Sequence, residues 1–354
     1  MKTYFITGGC GFIGSNFIHH LIENKLAGEI INLDKMTYAG NKDNLSTIDD
    51  NDYYHFIEGD IANQQVVRSI LEKYKPNIII NFAAESHVDR SIDGPVEFIQ
   101  TNVVGTLNLL HESNQWLKNM NSGIKESFRF IHISTDEVYG SLGKTGKFLE
   151  STPYNPSSPY SASKASSDHL ARSWYKTYDF PVLITNCSNN YGPYQFPEKL
   201  IPLMIINALE GKTLPIYGRG LNVRDWLYVD DHCKAIQAII EKGKLGQTYN
   251  IGGNNEIANI QIVETICEIL DNEIPLDTGK LYKEGIVFVE DRPGHDFRYA
   301  IDATKIEKEL GWKPKESFQT GIKKTVLWFL ENRDWWRKIQ KFKYKQERLG
   351  MLKQ

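Results

Sequence analysis

The sequence is poor in the features that mark secreted, membrane and metal-binding proteins. Its 354 residues include four cysteines, Cys10, Cys187, Cys233 and Cys267, and no two of them share a Cys-x-x-Cys spacing. Neither a disulfide framework nor a zinc site is therefore indicated. No apolar run approaches the roughly 18 residues of a membrane-spanning helix, and the short apolar N-terminal run ends in glycines, unlike a signal peptide. We expect a metal-free protein of the reducing cytoplasm that does not enter a membrane.

An excess of charge of one sign is also lacking. The 41 Lys and Arg residues nearly balance the 44 Asp and Glu residues, giving a formal net charge of −3, so the overall charge does not favour nucleic acid as a partner. Hydrophobic residues make up 41% and charged residues 24%, as in ordinary globular proteins. We interpret the locally basic stretch 337–354 as a solvated helix face or tail.

Short apolar segments alternate with helix-like segments through the first half of the chain. The pattern predicts strands at residues 2–7, 29–33, 77–82, 129–134 and 181–186, and helices at 14–24, 64–73, 96–116 and 160–178. Strands separated by helices of this length form a parallel sheet with helices on both faces. The prediction is an α/β fold, a doubly wound parallel sheet of the Rossmann type with a smaller mixed α/β substrate-binding lobe.

The alternation of strands and helices becomes irregular after residue 186. The turn-rich aromatic loop 191–197 is followed by short strands, helices and long loops. Residues 229–240 and 248–252 read as a helix and a strand, and we expect them to return to the main sheet. We therefore assign residues 1–188 and about 229–252 to the Rossmann domain. We assign residues from about 189 to 228 and from 253 to 354 to the second lobe.

The first strand-to-helix turn has the pattern of a dinucleotide-binding loop. Gly8, Gly11 and Gly14 follow a G-x-x-G-x-x-G spacing, which permits a tight turn and close approach of the backbone to a pyrophosphate at the helix N-terminus. Asp34 lies 20 residues beyond Gly14, at the end of the second strand. A carboxylate there accepts hydrogen bonds from a ribose and repels a 2′-phosphate, so NAD is favoured over NADP. The adjacent Lys35 could soften that preference.

Tyr160 and Lys164 stand four residues apart in a predicted helix and therefore share one face of it. We expect the Lys164 ammonium to lie beside the Tyr160 phenol and to lower its pKa from about 10. Tyr160 could then take a proton from a substrate hydroxyl while the same carbon gives up a hydride. Thr135, at the end of a predicted strand, could bind the same substrate oxygen. Together these residues predict a redox step on an alcohol.

Asp136 and Glu137 follow Thr135 directly and suggest a second step that needs both an acid and a base. Two carboxyl groups in one site resist ionising together, so one of them can keep its proton. Adjacent residues of a strand point to opposite faces, however. Both side chains can reach one substrate only if the strand ends before them and a turn begins.

These motifs resemble those of the extended short-chain dehydrogenase/reductases that act on nucleotide sugars, most closely the 4,6-dehydratases, and the resemblance covers nearly the whole chain. The carrying segments are TGGCGFIG at 7–14, AAESHVDRS at 83–91, STDEVYG at 134–140, YSASK at 160–164, NCSNNYGP at 186–193, RDW at 224–226 and DRPGH at 291–295. Cys10 stands where the family usually has alanine, and an exposed thiol there could be oxidised.

The resemblance implies a tightly bound NAD that is regenerated in each turnover. It implies a cofactor site made of Gly8, Gly11, Phe12, Ile13, Gly14, Asp34, Lys35, Thr37, Asp60, Ile61, Phe82, Ala83, Ala84, Ser86, Thr101, Tyr160, Lys164 and Asn190.

The substrate implied is dTDP-glucose, held by the second lobe. The positions that match the family's substrate site are Ser86, Thr135, Asn189, Lys199, Leu200, Pro215, Tyr217, Arg224, Asn259, Arg292 and His295. The two arginines suit a diphosphate, although Arg224 could instead form a salt bridge with Asp225 or Asp231. His87 and His295 are interpreted as hydrogen-bonded histidines and not as catalytic bases.

The resemblance also implies the order of events and the catalytic set Thr135, Asp136, Glu137, Tyr160 and Lys164. Oxidation at carbon 4 makes the hydrogen on carbon 5 acidic; Glu137 then removes that proton, while Asp136 protonates the hydroxyl leaving carbon 6. The reduced cofactor finally reduces carbon 6.

Other readings share part of this set. A nucleotide-sugar 4-epimerase or decarboxylase would use Thr135, Tyr160 and Lys164 but has no need of an acid at carbon 6. UDP, CDP or GDP could replace dTDP. A silent binding protein that keeps NAD as a structural group would not need the catalytic set that is present here. The family also implies a homodimer, formed through helices such as those around 96–116 and 161–178.

Overall fold

A seven-stranded parallel sheet is the centre of the computed structural model, which describes residues 1–49, 51–291 and 295–342. Arg292 and residues 343–354 of the basic stretch therefore lie outside the described residues. In chain order the strands are β1 (Lys2–Thr7), β2 (Ala27–Asp34), β3 (Tyr54–Glu58), β4 (Ile78–Asn81), β5 (Arg129–Thr135), β6 (Val182–Cys187), β7 (Asn189–Tyr191), β8 (Leu214–Tyr217), β9 (Val223–Tyr228), β10 (Thr248–Ile251), β11 (Glu256–Ala258) and β12 (Ile286–Val289).

The helices lie between these strands and after them. They are α1 (Phe12–Glu23), α2 (Gln64–Tyr74), α3 (Val88–Asp93), α4 (Pro95–Phe98), α5 (Thr106–Lys118), α6 (Ser122–Ser127), α7 (Pro159–Tyr178), α8 (Leu200–Leu209), α9 (Val229–Lys242), α10 (Asn259–Glu273), α11 (Thr304–Leu310), α12 (Phe318–Glu331) and α13 (Arg333–Phe342). The single helix predicted at 96–116 is instead α4, a π-helical segment Ile99–Gly105 and α5 in succession. Within the described residues, no helix combines the length and the apolar character needed to cross a membrane.

The main sheet has the strand order β10-β6-β5-β4-β1-β2-β3, and all of its pairs are parallel. Side chains of successive strand residues point to opposite faces of the sheet. Helices pack on both faces, so the sheet is buried on both sides. Tyr4 and Ile6 pack with α1 and α9 on one face, whereas Phe5 packs with α2, α5 and α7 on the other. The predicted doubly wound α/β fold is confirmed, and β10 returns to the main sheet as expected.

The second lobe has its own buried core and two small sheets. The sheet β11-β9-β7 is mixed, because β9 pairs antiparallel with β11 and parallel with β7, and β8 pairs with β12. Side chains of α8, α10 and α12 form a hydrophobic cluster separate from the two clusters of the main sheet. These separate cores support our proposed domain division, whose boundaries stay a prediction.

The topology also determines where a ligand can bind. The order reverses between β1 and β4, and the carboxyl ends of β1, β2, β4, β5 and β6 meet at one edge of the sheet. Doubly wound proteins bind ligands at such a switch point. The second lobe follows β6 and so covers this edge.

The link from β10 to β11 passes very close to β9. Gly253 lies in this link, and a Cβ atom there would overlap the carbonyl oxygen of Trp226. The buried carboxylate of Asp225 holds the link, since it accepts hydrogen bonds from the N–H groups of Gly253 at 2.9 Å and Asn255 at 2.7 Å. The link can therefore pass this close to β9 only because Gly253 has no side chain.

We expect Gly253→Ala to destabilise the protein by about 1–3 kcal/mol, because the link must move away from β9 to make room for a methyl group. The midpoint of urea unfolding measures the effect. Gly143→Ala is the matched control, since a Cβ atom at Gly143 meets nothing within 4 Å. Equal midpoints for the two variants would contradict the close approach.

Candidate active site

A cleft of about 320 Å³ opens at the carboxyl-end edge of the main sheet. Every residue predicted to contact the cofactor lines it. The residues come from the carboxyl ends of β1 to β6 and from the segments that follow them. The switch point of the fold has therefore brought together groups that are up to 182 positions apart in the chain, from Gly8 to Asn190.

The glycine loop has the close contacts that its spacing predicts. Gly8 has a positive φ of 71°, and a Cβ atom there would lie 2.6 Å from the backbone nitrogen of Ala83. A Cβ atom at Gly14 would overlap the carbonyl oxygen of Gly8. Gly11 is the N-cap of α1 and provides no side-chain cap, and the first turn of α1 contains no acidic residue. The helix N-terminus can therefore bind an anion such as a pyrophosphate.

The carboxylate of Asp34 is held at the end of β2 by two backbone donors, the N–H groups of Cys10 at 2.9 Å and Met36 at 2.8 Å. Lys35 forms an ion pair with Asp60 at 2.9 Å. Because Asp60 takes up this positive charge, Lys35 offers a 2′-phosphate little attraction. The glycine loop, the helix N-terminus and Asp34 together fit a dinucleotide that has a free ribose, as NAD does.

The expectation of an exposed, oxidisable thiol at Cys10 is wrong. The side chain is 1% exposed, and the amide of Asn32 donates a hydrogen bond to its sulfur at 3.4 Å. Burial, with the nearby Asp34 carboxylate, raises the pKa of the Cys10 thiol to about 12. A buried thiol that keeps its proton is a poor nucleophile and is protected from oxidation.

Strand β5, which carries the catalytic motif, ends directly before the two carboxyl groups of Asp136 and Glu137. β5 stops at Thr135, and Asp136–Tyr139 forms a 3₁₀ turn. The Thr135 hydroxyl caps this turn by accepting a hydrogen bond from the N–H of Glu137 at 3.3 Å. The turn places the Glu137 side chain at the cleft, and the adjacent Asp136 is 1% exposed.

The environment of Asp136 favours the protonated acid. Burial raises the pKa of Asp136 well above its ordinary value, and the neighbouring Glu137 carboxylate raises it further. Its Oδ1 accepts a hydrogen bond from the Thr135 hydroxyl at 3.4 Å, and its Oδ2 has no hydrogen-bond partner among the described residues. A carboxyl group in such a setting can hold a proton at neutral pH and donate it.

Tyr160 and Lys164 lie on α7, buried against the end of β5. The Lys164 ammonium donates a hydrogen bond to the carbonyl of Ile133 at 2.7 Å. Burial raises the pKa of the Tyr160 phenol, Glu137 raises it further, and a hydrogen bond with Thr135 only partly opposes this. The expected lowering of the Tyr160 pKa by Lys164 is therefore wrong for the protein alone, because burial dominates and the ammonium is engaged by the backbone.

A buried carboxylate fixes α7 to β5. Asp168 accepts hydrogen bonds from the hydroxyls of Ser134 at 2.9 Å and Tyr154 at 2.8 Å, and it lies 3.3 Å from Nε2 of His132. Although burial acts in the opposite direction, these hydrogen bonds and the nearby positive charges lower the pKa of Asp168. The same carboxylate lies one helical turn beyond Lys164 and partly offsets the burial that lowers the Lys164 pKa.

A second cavity of about 760 Å³ continues from the cleft into the second lobe. Thr135 lines only the first cleft, and Arg292 lies outside the described residues. All the other residues predicted to bind substrate line the second cavity, namely Ser86, Asn189, Lys199, Leu200, Pro215, Tyr217, Arg224, Asn259 and His295. Glu137 lines both cavities, so it stands where a cofactor and a sugar would meet.

The guanidinium of Arg224 lies 4.2 Å above the ring of Tyr299 and donates a hydrogen bond to the carbonyl of Asp296 at 2.9 Å. Asp225 binds the β10–β11 link, and Asp231 accepts hydrogen bonds from the N–H groups of Lys315 and Glu316, both at 2.8 Å. Both acidic residues suggested as salt-bridge partners are thus engaged elsewhere. The role of Arg224 towards a diphosphate stays a prediction.

Both histidines have the hydrogen-bonded settings that we expected. His295 contacts the carboxylate of Asp291 at 2.7 Å, and His87 caps α3 by accepting a hydrogen bond from the N–H of Arg90.

Glu198 and Tyr299 are among the cavity-lining residues that the sequence reasoning missed. Glu198 lines both cavities and accepts a hydrogen bond from the Tyr38 hydroxyl at 3.0 Å, and burial raises its pKa. Tyr299 lines the second cavity, and its hydroxyl contacts Asp296. The signals available were the position of Glu198 directly before Lys199 and that of Tyr299 four residues after His295.

Comparisons with known proteins agree with this geometry. The family model described as GDP-mannose 4,6 dehydratase matches residues 5–325. The dTDP-glucose 4,6-dehydratase of Xanthomonas campestris pv. campestris (strain B100) is 53% identical over 350 residues, which cover 99% of each chain.

Solved structures give the same picture. The dTDP-glucose 4,6-dehydratase from Bacillus anthracis, in complex with NAD, has a TM-score of 0.86 and 47% identity and covers 96% of this chain and 100% of its own. The dTDP-glucose 4,6-dehydratase DesIV from Streptomyces venezuelae, with NAD bound, has a TM-score of 0.87 and 44% identity and covers 95% and 99%. The chain therefore belongs to the extended short-chain dehydrogenase/reductases that act on nucleotide sugars, and within them to the dTDP-glucose 4,6-dehydratase family.

Proposed function

We propose that this protein converts dTDP-glucose to dTDP-4-keto-6-deoxyglucose by removing water across carbons 5 and 6, with NAD as its cofactor. The observation that carries the proposal is the pair formed by a buried Asp136, whose raised pKa favours the acid, and Glu137, which lines both cavities. Relatives and solved structures that share almost the whole chain carry the same enzyme name. The geometry and the comparisons support one reaction.

The first requirement of this reaction is a ketone at carbon 4. Water does not readily leave carbon 6 of glucose, because the hydrogen on carbon 5 is not acidic until carbon 5 lies next to a carbonyl. Thr135 binds the carbon 4 oxygen, and Tyr160 takes its proton as a phenolate. Because burial raises the Tyr160 pKa in the protein alone, this step requires that bound cofactor and substrate favour the phenolate. NAD, when bound in the cleft, would supply the reversible two-electron chemistry that oxidation at carbon 4 and reduction at carbon 6 require.

The second requirement is an acid and a base on the same sugar. Glu137 removes the proton from carbon 5, and Asp136 protonates the hydroxyl that leaves carbon 6 as water. Glu137 later returns its proton to carbon 5. The proton that Tyr160 took from the carbon 4 hydroxyl balances the proton that Asp136 gave up, so the protein regains its starting charge.

Lys164 acts on this reaction through position and charge. Its ammonium is fixed by the Ile133 carbonyl, one strand residue before Ser134 and on the same helix face as Tyr160. The Asp168 carboxylate keeps α7 in register with the end of β5. The phenol of Tyr160 and the hydroxyl of Thr135 are thereby held close enough to share one substrate oxygen.

Isotopic labelling tests the reaction as a whole. With dTDP-glucose deuterated at carbon 4, we expect the label at carbon 6 of the product, solvent hydrogen at carbon 5 and no net formation of NADH, as read by NMR and mass spectrometry. Label retained at carbon 4 of a galactose product would establish an epimerase instead. UDP-, CDP- and GDP-glucose run in parallel test the choice of nucleotide, and a faster turnover of one of them would contradict the dTDP assignment.

Substitution of the two carboxyl groups separates the steps. Both Glu137→Gln and Asp136→Asn are expected to lower kcat for dehydration by about 10²–10⁴-fold, the range for loss of a general base or acid. Oxidation at carbon 4 should persist in Glu137→Gln, visible as enzyme-bound NADH absorbance after a single substrate addition. Unchanged turnover in either variant would remove that residue from its role.

The activity should also depend on pH through Asp136. Burial raises the pKa of this acid, so the proton-donating form is present at pH values below the raised pKa and is lost as the pH rises through it. The alkaline limb of the kcat profile measures this loss.

We further propose a homodimer in the cytoplasm. Apolar side chains on α3, α4 and the following π-helical segment are exposed, with Ile92 at 50%, Val96 at 74% and Ile99 at 46%. An apolar stripe of this kind is typical of a protein interface, and Val96 and Ile99 lie at the start of the segment 96–116 that the family resemblance implies. Four free thiols support a reducing compartment.

Val96→Asp is expected to convert the dimer to a monomer, because a charge in the centre of the stripe would have to be desolvated on association. Light scattering after gel filtration measures the mass. Tyr53→Asp, at a side chain that is 67% exposed elsewhere on the surface, is the control and should remain dimeric. A wild-type monomer at micromolar concentration would contradict the proposal.

A further inference from the structure

The C-terminal helix α13 lies far from the catalytic motifs in sequence but packs against two loops of the cofactor cleft. Its Trp336 and Ile339 are 1% and 2% exposed. Ile339 forms a small buried cluster with Phe196, Tyr38, Ala39 and Trp335. Ala39 and Phe196 line the cofactor cleft on the opposite side of this cluster. The helix therefore forms the outer support of the cleft wall.

A chain of hydrogen bonds connects α13 to the glycine loop. The indole N–H of Trp335 donates to Oδ1 of Asn44 at 2.8 Å, and the amide N–H of Asn44 donates to the carbonyl of Cys10 at 3.0 Å. Asn44 is 2% exposed, and its own carbonyl bonds to His19 at 2.7 Å. Cys10 lies between Gly9 and Gly11 in the loop that fits a pyrophosphate. One side chain thus separates Trp335 from that loop.

A second path runs through the aromatic cluster. The ring of Tyr38 stands perpendicular to that of Phe196 at 5.5 Å, and the guanidinium of Arg90 lies 3.4 Å above the Tyr38 ring. The Tyr38 hydroxyl donates to Glu198 at 3.0 Å, a residue that lines both cavities. Loop 37–40 and loop 195–199, both part of the cleft wall, are thereby joined to each other and to Ile339.

We propose that α13 is a clamp that retains NAD between the two redox steps, with Trp335 as the positioning residue. The proposal rests on the proposed function. Electrons taken from carbon 4 must return to carbon 6 of the same sugar. If the reduced cofactor left between these two steps, an unsaturated ketone and an inactive protein would remain. A helix that restrains the glycine loop and loop 37–40 together slows that loss without contacting the reacting atoms.

The rate of NAD release from the full-length holoprotein tests the clamp. Protein loaded with radiolabelled NAD is mixed with an excess of unlabelled NAD, and the retained label is followed with time. Trp335→Phe keeps an aromatic ring but removes the hydrogen bond to Asn44, and we expect release to become about tenfold faster. Asp334→Asn, an exposed change on the same helix, is the matched control and should release NAD at the wild-type rate.

Two further readouts separate a clamp from general destabilisation. At saturating NAD, kcat of Trp335→Phe should stay within about twofold of wild type. Asn44→Ala breaks the same path from the other end, so the double variant Trp335→Phe/Asn44→Ala should release NAD no faster than Asn44→Ala. Ile339→Val, which removes one buried methyl group, should give a smaller increase through the aromatic path.

Wild-type release rates in Trp335→Phe and Ile339→Val would overturn the clamp, as would additive effects in the double variant. This failure is distinguishable from failure of the proposed function. If release accelerates as expected but no 4-keto-6-deoxy product forms from dTDP-glucose, the clamp stands and the reaction assignment falls. If the product forms and the release rate is unchanged, the reaction assignment stands and the clamp is contradicted.

Discussion

The burial of the Asp136 carboxyl group beside Glu137 is the constraint on which the site depends. An ionised carboxylate with one unsatisfied oxygen is costly inside a protein, and protonation removes most of that cost. Burial therefore favours the protonated form of Asp136, whose Oδ2 has no hydrogen-bond partner among the described residues, and Glu137 lies at the junction of two cavities. The difference in exposure between these neighbouring residues supports the opposite roles that we propose for their carboxyl groups, with Asp136 as the acid and Glu137 as the base.

That difference arises from backbone geometry. If β5 continued through residue 137, the pair would point to opposite faces of the sheet and only one carboxyl group could approach the edge. The 3₁₀ turn that begins at Asp136 ends the alternation, and the Thr135 hydroxyl that caps it also faces the cofactor cleft. Asp168 then holds α7 against the same strand end through Ser134, so that the redox pair and the acid–base pair share one frame.

The sequence was informative wherever function requires a particular residue at a particular spacing. The glycine loop, Asp34, the Tyr160–Lys164 pair and the turn after Thr135 could all be predicted, because each meets a local geometric need that few other residues satisfy. The raised pKa of Tyr160 could not, since it depends on burial and on where the Lys164 ammonium bonds, and both are tertiary properties. The buried state of Cys10 depends on Asn32 from the next strand.

Glu198, Tyr299 and α13 show a second limit of sequence reasoning. Each reaches the site through contacts between residues far apart in the chain, such as the 291 positions that separate Asn44 from Trp335. The position of Trp335, just before the basic stretch 337–354, does not indicate its partner Asn44. Long-range placement of this kind follows from the sheet topology, which brings loop ends from both lobes to one edge.

The same buried acid links chemistry to stability. The folded protein binds a proton at Asp136 more tightly than the unfolded chain does, because burial raises its pKa. The resulting contribution to the free energy of unfolding is complete below the unfolded pKa of about 3.9 and is lost progressively as the pH rises towards the folded pKa. At neutral pH the protein has thus already given up stability in order to hold an acid. An amide at this position would avoid the loss but has no acidic proton to donate, and the proposed reaction requires such a proton.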